Sequence, residues 1–89
     1  MAPDPGNLLA LDFSTVGRHA DEFRWKAVRD VLERGVAGAA PRTRIPSETY
    51  IAQRAGVSGR TVRKAIHDLR DRGLLYTVSG LGSFVGPRD

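Results

Sequence analysis

The sequence predicts a mostly helical α+β fold, three helices followed by a two-stranded β-hairpin, and three observations carry that reading. Apolar residues recur at helical spacing in three successive stretches, each bounded by residues that start and stop helices. The second and third stretches are separated by only a few residues around Gly56, so those two helices must cross sharply. A glycine-rich segment flanked by strand-forming residues comes last and marks a hairpin. A chain of 89 residues has room for one domain with one modest core.

Residues 1–20 read as an N-terminal arm. They mix Pro, Gly and Asp with the apolar patch LLALDF, and strand, packing arm and disorder all stay open there. The domain proper, residues 21–86, opens with DEFRWKAVRDVLERG. Trp25, Val28, Val31 and Leu32 recur at helical spacing and are assigned to the core; Asp21 and Glu22 suit the positive end of the helix dipole, and Gly35 is expected to end the helix. Its Arg24, Lys26, Arg29 and Arg34 alternate with Asp30 and Glu33 as an ordinary solvated face. VAGAAPRTR then reads as a loop. IPSETYIAQRAG starts the second helix, with Ser47 as N-cap, Ile51 and Ala55 facing inward and Gly56 as the left-handed residue after its end. VSGRTVRKAIHDLRDRG gives the third, about 58–72, capped by Ser58, lined on one side by Val62, Ala65, Ile66 and Leu69, and stopped by Gly73. LLYTVSGLGSFVG supplies the hairpin, about 75–85, with Gly80 and Gly82 at its tip.

The third helix carries its charges in the wrong order. Arg60, Arg63 and Lys64 crowd its positive end while Asp68 and Asp71 wait near its negative end. Each misplaced charge costs about 0.3–1 kcal/mol unless something compensates. From Arg42 to Arg72 there are eight basic residues against three acids, a net +5, whereas the whole chain carries only +4. All the excess positive charge therefore sits in the segment that holds this helix, the footprint of a polyanion partner.

Other chemistries find little support. Without cysteine there is no disulfide, thiol nucleophile or thiolate metal site, and His19 and His67 stand 48 residues apart, so neither a metal nor any other cofactor is expected. No apolar run approaches the roughly 18 residues of a membrane span, and MAPDPGNLLALDF lacks the basic flank and long apolar core of a secretory signal. The expectation is a cytoplasmic, non-enzymatic protein with no membrane partner: no paired carboxylates, activated nucleophile or phosphate loop occurs. A lone GxG at Gly80 and Gly82 that opens no helix is a hairpin tip rather than a nucleotide loop.

Three helices, a tight turn and a hairpin in this order form a winged helix-turn-helix. The wording goes further. Pro46-Ser47-Glu48, Ala52, Gly56-Val57-Ser58, Thr61-Val62-Arg63, Ala65, Leu69, Gly73-Leu74, Gly80, Gly82 and Phe84-Val85 together resemble the DNA-binding domain of the GntR family of bacterial transcription regulators, over about Trp25 to Val85. The resemblance implies operator binding, with the third helix in the major groove and the glycine wing at the minor groove. The family usually places Arg after the serine of GVS and after PSE, and a basic residue between the wing glycines. Gly59, Thr49 and Leu81 stand there instead, which implies fewer phosphate contacts than the family norm.

A recognition helix that points its first turns at DNA answers the charge reversal, because dipole and side chains then both face phosphates. Arg60, Thr61, Arg63 and Lys64 alternate with the apolar Val62 and Ala65 and project outward, Arg being suited to guanine and Thr to a phosphate or a thymine methyl. Arg44, Ser47, Tyr50, Ser58, Gly59, Gly80 and Gly82 complete the candidate DNA-contacting set. Ser47 and Ser58 also read as caps, and Tyr50 stays open between packing and a backbone contact. The expected partner is a double-stranded, pseudo-palindromic operator bound by a homodimer, with no effector-binding domain visible after the wing. The alternative is a winged-helix module that binds protein, which a weak salt dependence would reveal.

Overall fold

The computed structural model describes residues 8–87. The first seven residues of the arm lie outside the described residues, as do 88 and 89. Three helices, α1 (Asp21–Ala37), α2 (Glu48–Ala55) and α3 (Gly59–Asp71), precede the antiparallel strands β1 (Leu75–Val78) and β2 (Gly82–Val85), paired from Leu75↔Val85 to Val78↔Gly82.

The capping signals act where the sequence put them. The Ser47 hydroxyl accepts the amide of Tyr50 and the Ser58 hydroxyl that of Thr61, so each helix starts with one of its orphan donors satisfied. Gly56 takes the left-handed conformation, φ 69°, that reverses the chain between α2 and α3 within a few residues. The apolar faces meet in one core with α3 at its centre, packed against α1, α2 and β1. Leu32, Ile51, Leu69, Val16, Val28, Val62 and Val85 are fully enclosed. Each such side chain contributes about 1.5–3 kcal/mol relative to exposure.

One open reading is decided and two expectations are corrected. The arm is a packed arm from Leu8 onward: Leu8–Ala10 and Val16–Arg18 form single 3-10 turns, and Leu8, Phe13 and Val16 enter the core. Gly35 does not end α1, which continues to Ala37. It is buried inside the helix where Leu8 and Leu11 cross it, and a Cβ there would stand 2.7 Å from a Leu11 methyl. The stretch VAGAAPRTR is not all loop. Its end and the following Ile45 pair with β2 through Arg42 N–H to Val85 O (2.8 Å), Val85 N–H to Thr43 O (2.8 Å) and Ile45 N–H to Ser83 O (2.9 Å), so the wing is anchored along both edges of β2.

Candidate nucleic-acid interface

The exposed side of α3 is built by its own periodicity. Val62, Ala65, Ile66 and Leu69 turn inward, which leaves Arg60, Arg63, Lys64 and His67 exposed and Thr61 half-buried beside the Ser58 hydroxyl, 3.1 Å away. The charge reversal resolves into two unequal halves. At the C-terminal end the structure supplies its own compensation: Arg72 donates to both oxygens of the Glu33 carboxylate, at 2.7 and 3.1 Å, and its guanidinium lies 3.5 Å from Asp68. Arg29 lies 3.8 Å from the same aspartate. This network ties α1 to the end of α3. The Arg72 hydrogen bonds hold the Glu33 carboxyl below the usual glutamate range, and the same bonds raise Arg72.

At the N-terminal end little compensation exists. Among the described residues neither Arg60 nor Lys64 has an ion pair, and Arg63 has one long contact, 3.5 Å to a Glu48 oxygen that is buried without any hydrogen bond. The Arg63 side chain remains 64% exposed, so that contact leaves it open to a stronger acceptor. The cations of the first turns thus remain short of negative charge.

The wing stands beside this helix. Arg70 of α3 reaches the Thr77 hydroxyl of β1 at 3.4 Å, and Thr77 faces Ser83 of β2 at 3.0 Å. Tyr76 and Phe84, opposite one another in the register, stack with ring centroids 5.5 Å apart and stiffen the ribbon. Arg44 lies across Gly82, where a Cβ would come within 3.1 Å of its Nε, so the absent side chain admits the guanidinium to the wing. A cleft lined by Arg44, Ser47, Glu48, Thr77 and Gly82 joins the start of α2 to the wing, and Arg63 meets Glu48 at the same edge. Arg44, Ser47, Arg63 and Gly82 are therefore gathered around one cleft edge, with Ser58, Gly59 and Arg60 at the adjoining start of α3 and Gly80 at the exposed hairpin tip.

Tyr50 is placed differently. Its hydroxyl donates to the Leu9 carbonyl at 3.0 Å and its ring lies 5.7 Å from the Arg54 guanidinium, so it docks the arm onto α2. Trp25, assigned to the core from its spacing, is only half-buried, on the flank of α3 away from the wing. It sits at the rim of the stripe formed by Val28, Val31, Leu32 and Gly35. The basic residues one position away and four positions on, Arg24, Lys26 and Arg29, are the sequence signal for that rim position. Arg70 also links α3 to the wing, a role that its place on a solvated helix face does not signal. Among the described residues, no cluster of three or more His, Asp or Glu groups is placed to hold a metal, and no helix is long and apolar enough to cross a membrane.

Comparison with known proteins gives consistent results. The family model described as "Bacterial regulatory proteins, gntR family" matches residues 26–85. The histidine utilization repressor of Klebsiella aerogenes is 37% identical over 60 residues, 67% of this chain and 24% of that protein. The HTH-type transcriptional repressor NagR of Bacillus subtilis (strain 168) is 44% identical over 45 residues, 51% of this chain and 18% of that protein. The chain thus spans at most about a quarter of these curated relatives. The crystal structure of the AraR DNA-binding domain in complex with operator ORE1 superposes with a TM-score of 0.67 at 39% identity, covering 70% of this chain and 78% of that one.

Proposed function

The chain belongs to the gntR family of bacterial regulatory proteins, and from that premise we propose that it represses transcription in the bacterial cytoplasm by sequence-specific binding of double-stranded operator DNA. α3 enters the major groove. Arg60, Thr61, Arg63 and Lys64 face the base edges and the bounding phosphates, arginine offering a fork matched to guanine O6 and N7. Arg44 and the wing glycines Gly80 and Gly82 follow the backbone toward the minor groove. Ser47, Ser58 and Gly59 serve at helix starts, where free amides and the dipole favour a phosphate. Tyr50 contributes through the arm it fastens. The protein binds as a two-fold pair on a pseudo-palindromic site, with half-sites about one helical turn apart.

The observation that carries this reading is the asymmetry of α3: Asp68 near its end lies 3.5 Å from Arg72 and 3.8 Å from Arg29, whereas its leading cations have almost no internal acceptor. The test is selection of binding sites from random duplex DNA at two salt concentrations, with the mass of the complex measured in solution. The expected result is an enriched, two-fold-symmetric sequence bound by two chains, with affinity falling steeply as salt rises. No enrichment, or binding indifferent to salt, would overturn the reading.

A further inference from the structure

An α-helix with its side chains is about 10–12 Å across and the major groove about 12 Å wide, so groups on both flanks of a helix lying there meet the two phosphate strands that bound it. On one flank of α3 stand Arg44 and the wing. On the other stands α1, and between α1 and α3 lies an open depression of about 740 Å³ whose lining includes Trp25, Arg60 and Lys64 toward the start of α3 and the carboxylates of Asp68 and Asp71 toward its end.

Trp25 is the feature of this depression that the fold itself does not explain. Its indole is half-buried rather than part of the core, and three cations surround it: Lys64 Nζ lies 4.9 Å from the ring centroid, the Arg29 guanidinium 5.2 Å and Lys26 Nζ 5.9 Å. Of the three only Arg29 has carboxylates in reach, Asp30 at 3.1 Å and Asp68 at 3.8 Å. Among the described residues Lys26 and Lys64 have no ion pair. Like charges gathered on one neutral ring repel one another unless an anion joins them. A lysine that rests on an aromatic ring has also given up part of its rotamer freedom before a phosphate arrives.

We propose that Trp25 is a positioning residue: its indole holds Lys64 toward the phosphate strand on the α1 side of the groove, which makes α1 the second wall of the DNA interface. The proposal rests on the DNA-binding reading above. It predicts that removing the ring has the same electrostatic consequence as removing the ammonium, although Trp25 itself carries no charge.

The test uses a duplex selected by the unmodified protein and measures binding across a range of salt concentrations for the Trp25→Leu, Trp25→Phe and Lys64→Met variants and the Trp25→Leu/Lys64→Met pair. Losing one phosphate contact lowers the slope of log affinity against log salt by about 1. Lys64→Met and Trp25→Leu are each expected to show that drop, the pair no more than either alone, and Trp25→Phe to keep the original slope. An unchanged slope in Trp25→Leu or in Lys64→Met overturns the proposal, since a merely structural tryptophan would alter the melting temperature and leave the slope of the folded fraction alone. Should Trp25→Leu fail to fold, the emission of Trp25, the chain's single tryptophan, decides. It is expected to change when the unmodified protein binds the duplex and not when Lys64→Met does, and equal changes overturn the proposal. Absence of duplex binding by the unmodified protein at every salt concentration overturns the DNA-binding reading itself, a result distinct from all of these.

Discussion

Val62 is fully enclosed while Arg63, the next residue, extends into solvent, and the two separate stability from recognition. Arg63→Ala is expected to weaken binding to a selected operator by about 1–3 kcal/mol and to leave the thermal melt unchanged. Val62→Asp is expected to do the opposite. It places an unpaired carboxylate in the core at a cost of several kcal/mol, a large part of the roughly 5–15 kcal/mol that keeps a small domain folded, so the variant loses its cooperative melt. Periodicity made that pair legible, because inward and outward positions on an amphipathic helix follow from spacing alone. The same logic misplaced Trp25: a large apolar residue in register with a buried stripe reads as core, and only the packing of α1 against α3 shows that it lies at the rim. Tyr50 was illegible for a related reason, since its partner is the backbone of Leu9, 41 residues away.

The elements show how local signals succeed and where they stop. Caps and stops read correctly at α2 and α3 because each involves residues within a turn of one another. Gly35 looked like a stop for the same local reason. It is instead the flat place on α1 where Leu8 and Leu11 cross, a tertiary fact. Gly35→Leu is therefore expected to lift the arm at a cost of about 1–3 kcal/mol, seen as faster hydrogen exchange at residues 8–16 with α3 still protected. The Glu33–Arg72 pair makes a pH-dependent tie between α1 and α3. Since the folded state holds Glu33 below its ordinary value, the stabilisation is fully present above the unfolded value and is lost as pH falls through the folded one. Both side chains face water, so the effect is small. Glu33→Gln is expected to lower the melting temperature slightly at neutral pH, with the difference from the unmodified protein vanishing below the glutamate range.

For the whole molecule, the net charge of +4 matters less than its placement. Electrostatic attraction to phosphates is blind to sequence, whereas base contacts are not. Arg44→Ala is therefore expected to weaken binding to all duplexes alike and to lower the salt slope by about 1. Arg63→Ala is expected to relax the preference at one base position, which a selection experiment on the variant would display. The order of elements, three helices and a ribbon, was legible because α2 and α3 carry their own starts and stops in the chain and α1 its own apolar stripe. The docking of the arm and the second set of wing hydrogen bonds, from residues 42–45 to β2, were not, since both join segments that carry no mutual pattern. Those extra bonds have a mechanical result. Residues 42–45 are fastened to β2 and run directly into the Ser47 cap, so the ribbon and the entrance to α2 form one lever. Tilting the ribbon tip turns the first turn of α2 with it, and a ribbon grafted from another regulator must bring its own 42–45 segment to keep α2 at its original angle.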